Sequence, residues 1–279
     1  MPTFTTRDGV ELAYEDTDPA GTGVPLVMLH GWGQTQAMFR HQLADLAPDR
    51  RVVTLDQRGH GRSAKPHHGY RIARLARDVQ EFLDHLGVDE ADVLGWSMGV
   101  SVWWSYLDQF GSGRIRRFVA VDQPAAVAAV PWMSTQEQQE SGAIFDVAAL
   151  VGLADSLAGE ESEKATTAFV RGMFSGDTDP AVWDFVVSEL GQIPPRAAVP
   201  LLFDHCAQDW RDVLPRIDVP TLVVGCDGSH VSPSSQRYIA EQVPGAQLYV
   251  FPVDEASSHF PFLENPARFN EVVSAFLDA

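Results

Sequence analysis

The chain has 279 residues, 45% of them hydrophobic and 21% charged, and a formal net charge of -18. That length suits one large α/β domain carrying an insertion, or two small domains. So acidic a surface repels phosphate backbones and anionic membranes, which excludes nucleic-acid binding as the first expectation. Two cysteines, Cys206 and Cys226, cannot form a disulfide framework and show no zinc spacing, so both read as small buried residues of a reducing compartment. The charged N-terminal stretch has no apolar h-region, and no uninterrupted apolar run reaches the roughly 18 residues of a membrane span. A cytoplasmic protein is expected.

In chain order, residues 3–16 predict an antiparallel hairpin turned at Asp8-Gly9. The apolar run PLVML (25–29) predicts a buried strand that opens into His30-Gly31-Trp32-Gly33. A glycine-bearing loop at a strand end can aim a backbone N–H at the oxyanion of an acyl-transfer intermediate. RVVTL (51–55) predicts a second strand, followed by DQRGHGRS. In residues 71–86 the apolar positions 72, 75, 79, 82, 83 and 86 share one face at helical spacing.

ADVLG (91–95) predicts the next strand and leads directly into Gly95-Trp96-Ser97-Met98-Gly99, ahead of a helical pattern over 98–110. G-x-S-x-G alone is a weak signal; between a strand and a helix it marks a serine nucleophile on a sharp turn. The helix start behind it favours developing negative charge, and the N–H of Met98 would supply a second oxyanion donor. RFVAV (117–121) predicts a strand that ends at Asp122. Helical patterns with Trp132, Trp183 and Trp210 then interrupt the strand–helix alternation. We read 1–130 and 214–279 as two parts of one core, with 131–213 a helical cap inserted over the carboxyl edge of the sheet.

PTLVVG (220–225) and AQLYVF (246–251) predict the last two strands, and residues 266–277 the final helix. His259 lies in the loop between them. It follows the serine in the order expected of a nucleophile elbow, and Phe260-Pro261-Phe262 would steady it. His230 is its competitor as base, and His30 reads as a loop-stabilising residue. Strand–helix alternation throughout implies a mostly parallel sheet wrapped by helices.

HGWG, DQRGHGRS, GWSMG and SSHFPF, in this order over nearly the whole chain, resemble the α/β-hydrolase fold superfamily. The resemblance is to its branch of small esterases, lactonases and cofactor-free haloperoxidase-like enzymes. It implies an eight-stranded, mostly parallel sheet with a helical cap. It also implies Ser97 as nucleophile, His259 as base, and Trp32 and Met98 as oxyanion donors. Asp56, Arg58, Gly59 and Ser63 would brace the neighbouring loop.

The chain departs from that pattern at the acid. Most members of the branch carry an aspartate on the loop after the strand matched by TLVVG, where this chain has Gly228, with Asp227 one position short. A one-residue shift in an extended segment reverses a side chain's direction. Asp122 is preferred as the acid, because it ends an apolar strand at the carboxyl edge, where catalytic groups collect. Some α/β-hydrolases place their acid there, among them zearalenone-type lactonases and cofactor-independent quinolone dioxygenases. Asp227 remains the alternative, ahead of Asp254 and Glu255.

The expected function is serine hydrolysis of a carboxylic ester or lactone with no cofactor and no metal, acting on a medium-sized hydrophobic or ring-containing substrate. Trp32, Trp96, Trp132, Trp183 and Phe260 are the expected substrate contacts. The partner expected is a small molecule, with a homodimer allowed. The rival readings are a cofactor-independent dioxygenase of a quinolone-like substrate and a ligand-sensing receptor built on the same fold.

Overall fold

In a computed structural model of the chain, residues 1–175 and 178–279 are described. Eight strands make one sheet: β1 (Thr3–Thr5), β2 (Glu11–Asp16), β3 (Leu26–Leu29), β4 (Val52–Leu55), β5 (Ala91–Trp96), β6 (Ile115–Val121), β7 (Thr221–Cys226) and β8 (Gln247–Phe251). Their order is β1-β2-β4-β3-β5-β6-β7-β8; the pairs β1–β2 and β2–β4 are antiparallel and all the others parallel. The mostly parallel sheet expected from the alternation, with the eight strands that the resemblance implies, is therefore present. The hairpin turns where Asp8-Gly9 marks it, with the Gly9 N–H donating to the Thr6 carbonyl.

The strands of the sheet's interior are apolar on consecutive positions because both faces are covered. Val27 and Leu29 of β3 join one core, with Val53, Leu55 and Val93. Leu26 and Met28 join the other, with Val52, Leu94, Val119 and Val224. The first core is closed by α2 (Ile72–Leu86) and α3 (Met98–Phe110), the second by α1 (Arg40–Leu46) and, at the C-terminal end, by the helix over Pro266–Leu277. Helix α2 buries Ile72, Leu75, Val79, Phe82 and Leu83 from the expected face and stops at Gly87, which takes up the left-handed conformation at φ 64°.

Between β6 and β7 the chain leaves the sheet, and the described residues form five helices: α4 (Thr135–Ser141), α5 (Val147–Ala158), α6 (Ser162–Arg171), α7 (Pro180–Glu189) and α8 (Pro195–Cys206). Helix α4 starts in a reciprocal capping box between Ser134 and Glu137. After β7 follow α9 (Pro233–Gln242), β8, α10 (Pro261–Glu264) and α11 (Pro266–Leu277). No helix among the described residues is long and apolar enough to cross a membrane. Both cysteines are free and buried.

Candidate active site

Ser97 stands between the end of β5 and the start of α3 with φ 54° and ψ -126°, a backbone conformation that costs a non-glycine residue on the order of 1–3 kcal/mol. Its hydroxyl caps no N–H of the helix behind it. The flanking glycines make the turn possible. A Cβ on Gly99 would collide with the Leu29 carbonyl, and one on Gly95 with the Val100 N–H and the Gly99 backbone. The motif's glycines are thus space requirements of the turn that raises Ser97.

His259 is 1% exposed, and its Nδ1 lies 2.7 Å from Asp122 Oδ2. Asp122 directly follows β6 at φ 50°, a region aspartate tolerates better than most residues, and its own N–H is anchored on the Val224 carbonyl. The same Oδ2 accepts the Ser229 hydroxyl at 2.6 Å. Ser229 was not singled out in the sequence, and its role follows from how the loop after β7 folds back over β6. Asp227, on that loop, is exposed. At Gly228 a Cβ would run into the Ser257 carbonyl, in the loop that carries His259. A side chain at position 228 is therefore excluded by packing, and the carboxylate that reaches the imidazole is Asp122.

The loop of His259 is held from three sides. Trp96 Nε1 donates to the His259 carbonyl at 2.8 Å, and the indole packs against His259 and Phe260 with centroids 5.3 and 5.1 Å apart. The His259 N–H donates to the Met173 carbonyl at 3.2 Å. Glu264 accepts the N–H groups of Ser257 and Ser258 and the Ser258 hydroxyl. His230 meets His259 edge to face, centroids 4.6 Å apart.

The N–H groups of Trp32 and Met98 carry no hydrogen bond among the described residues. The loop that presents Trp32 is braced by two neutral histidines. His30 donates from Nδ1 to the Gly31 carbonyl and accepts the Gln57 N–H at Nε2. His60 accepts the Gly33 N–H at Nε2 and donates from Nδ1 to the Arg58 carbonyl. Asp56 accepts the N–H groups of Gln36 and Arg62, the Ser63 hydroxyl donates to the Asp56 carbonyl, and Arg58 makes a buried two-point pair with Asp78.

Ser97, His259, Trp32, Trp96 and Phe260 line one cavity. Phe145, Phe169 and Met173 from the inserted segment complete its apolar wall. Trp32 is fixed there by a 2.9 Å hydrogen bond from Nε1 to the Ala198 carbonyl. Two of the expected substrate contacts need correction. Trp132 is 80% exposed at the surface ahead of α4. Trp183 packs edge-on against Phe174, which stacks on Phe260, so it stands one layer behind the wall. Trp210 packs near Trp104 instead of facing the cavity. Sequence marked these residues as aromatic but held no register for the inserted helices.

Burial disfavours charge on both partners of the His259–Asp122 pair. It lowers His259 to about 3. It pushes Asp122 up to about 7, with the Ser229 hydroxyl pulling the other way. At neutral pH the imidazole is therefore the free base, and the poorly solvated carboxylate gains most when an imidazolium forms beside it.

Burial likewise lowers His30, His60, His205 and His230. Below the ordinary histidine value of 6.5 the unfolded chain takes up protons at these five rings that the folded chain refuses, so stability falls as pH falls. Asp122 opposes this between about 7 and 3.8, because there the folded state holds the extra proton. Burial raises Asp78 and Asp204 as well, but the lowered rings, six with His41, outnumber these three carboxyls. Thermal melts are expected to show a Tm that declines steadily below pH 6.5, and an unchanged Tm from pH 7.5 to 5 would contradict this.

Residues 24–266 match the family described as alpha/beta hydrolase fold. A non-heme chloroperoxidase, CPO-A1, from Kitasatospora aureofaciens is 30% identical, covering 93% of this chain and 92% of its own. Among solved structures, the esterase RhEst1 from a Rhodococcus species superposes with a TM-score of 0.78 at 28% identity, over 100% of this chain and 98% of its own. The enol-lactonase from Burkholderia xenovorans superposes with a TM-score of 0.84 at 23% identity, over 100% of both chains.

Proposed function

The chain belongs to the α/β-hydrolase fold family, and we propose that it cleaves a carboxylic ester or lactone through an acyl-enzyme on Ser97. One observation carries this reading: a serine on a strained turn and an imidazole bonded through Nδ1 to a buried carboxylate share one cavity. His259 takes the proton of Ser97 as its oxygen attacks the carbonyl carbon. The oxyanion is held by the N–H groups of Trp32 and Met98, and His259 returns the proton to the leaving alcohol. Water, deprotonated by His259, then splits the acyl-enzyme, and Asp122 holds the ring in the tautomer that keeps Nε2 free. These side chains and water account for every step.

The apolar wall of Trp32, Trp96, Phe169 and Phe260 suits a medium-sized hydrophobic or ring-containing substrate. Segment 131–213 would act as the cap, since Phe145, Phe169, Met173 and Leu202 come from it. The relative named as an esterase and the one named as an enol-lactonase support ester and lactone chemistry. The chloroperoxidase name fits a side reaction in which hydrogen peroxide replaces water, so that the acyl group leaves Ser97 as a peracid and the serine hydroxyl is regenerated. The test is hydrolysis of p-nitrophenyl butanoate over many turnovers. Single or absent turnover would favour a ligand-sensing receptor.

The active form of His259 is the free base, so kcat/KM rises as pH passes its pKa from below. Burial places that value under 6.5. Asp122, pushed up to about 7, must also be ionised to support the imidazolium, so the acid limb of the profile is expected with its midpoint near 7, and a full plateau held below pH 5 would contradict this.

Asp122 at the end of β6 also favours a second reading, cofactor-independent oxygenation, in which the His259–Asp122 pair deprotonates an organic substrate that then reacts with O₂. Ester hydrolysis is indifferent to O₂, whereas that reaction stops without it, so turnover under anaerobic conditions separates the two.

A further inference from the structure

The cavity holds polar groups that the hydrolytic steps do not use. Gln34, from the loop after β3, is 2% exposed, and neither Oε1 nor Nε2 has a hydrogen-bond partner. His205, from the last turn of α8, is 5% exposed, and its Nδ1 has none. Both line the cavity, one from the core and one from the inserted segment. Among the described residues the cavity wall includes no Asp, Glu, Lys or Arg, and burial keeps the His205 ring neutral. A protein interior rarely leaves such groups unpaired, because a buried donor or acceptor without a partner is destabilising.

The chemistry of the two side chains defines what would satisfy them. A carboxamide donates and accepts at once, and a neutral imidazole does the same through its two nitrogens. Their complement is an uncharged group that also does both. We propose that Gln34 and His205 form a polar subsite for a hydroxyl or secondary amide carried by the substrate in addition to its scissile carbonyl. The proposal rests on the hydrolytic reading of this cavity and narrows its substrate to neutral esters or lactones bearing such a group. A purely hydrocarbon acyl chain would leave the subsite unpaired, and a site built to bond a substrate hydroxyl or N–H discriminates strongly against an analogue without it.

The test uses direct binding, read by the fluorescence of Trp32 and Trp96 in the cavity wall. The probes are δ-valerolactam, a cyclic secondary amide; cyclohexanone, a ring of the same size that only accepts; and glutarate as the charged control. Wild type is expected to bind the lactam at least tenfold more tightly than the ketone and to bind glutarate most weakly. Gln34→Leu and His205→Phe should each bring the lactam and ketone affinities within about twofold. Gln34→Leu should also melt no lower than wild type, because it removes an unpaired buried amide; Gln34→Met, which keeps the side chain's length, is read in the same way.

Equal binding of lactam and ketone by wild type, a preference untouched in all these variants, or tighter binding of glutarate would overturn the proposal. A loss of stability in both Gln34 variants with the lactam preference retained would do so too. The two readings fail separately. Absent ester hydrolysis with the lactam preference intact removes the hydrolytic reading, and vigorous hydrolysis with no preference removes the subsite.

Discussion

Ser97→Ala is expected to lower kcat for p-nitrophenyl butanoate by about 10⁶-fold, as loss of a triad serine does elsewhere. A residual rate of about 10³–10⁴ over water would come from binding and the oxyanion donors alone. The size of the effect follows from the site. His259 and Asp122 have no other hydroxyl to activate at the turn, since Ser97 alone stands at the left-handed corner between β5 and α3. Stability should change little, because the Ser97 hydroxyl caps no helix N–H and alanine occupies the same space. The readout is steady-state kinetics with a melting curve as control. Activity within tenfold of wild type would end the acyl-enzyme proposal.

The second large effect belongs to Asp122→Asn, expected to lower kcat by about 10⁴-fold. Asparagine tolerates the φ of 50° that Asp122 adopts, so the backbone is retained and the loss reports the charge. The amide can donate to Nδ1 and hold the ring in the wrong tautomer, and it gives the imidazolium no counter-charge in a site where both groups are desolvated. Asp227→Asn is the comparison. That residue is exposed, and its variant should keep activity within about twofold. The reverse pattern, with Asp227 essential and Asp122 dispensable, would require the loop after β7 to sit elsewhere, against the packing of Gly228 on Ser257.

How much of this was readable in the residues varies with the distance over which each feature is set. Ser97 was legible because the strand, the turn and the helix that lift it are contiguous, and Gly95 and Gly99 are needed within that same turn. Asp122 was legible as the end of an apolar strand. The same feature set it ahead of Asp227, whereas the reason no acid stands at 228 lies in the pairing between two loops about thirty residues apart. Ser229, Glu264 and Trp96 escaped assignment as supports of the His259–Asp122 pair because which side chains reach it is set by how separate elements pack, which no periodic signal carries. Trp132 and Trp183 were misplaced for a related reason. Helices α4 to α8 pack partly on one another, so an aromatic residue there can face solvent or a neighbouring ring as readily as the cavity. Gln34 and His205 line the same cavity because α8 returns over the loop after β3, where Trp32 bonds the Ala198 carbonyl, and no local pattern encodes that return.

The most direct test of the central claim is covalent. A fluorophosphonate, which phosphonylates an activated serine, is incubated with the enzyme, and the site and stoichiometry are read by peptide mass spectrometry. One equivalent on Ser97, lost in Ser97→Ala and strongly slowed in Asp122→Asn, is the predicted result. An unmodified Ser97, or an adduct at the same rate in Asp122→Asn as in wild type, would contradict it.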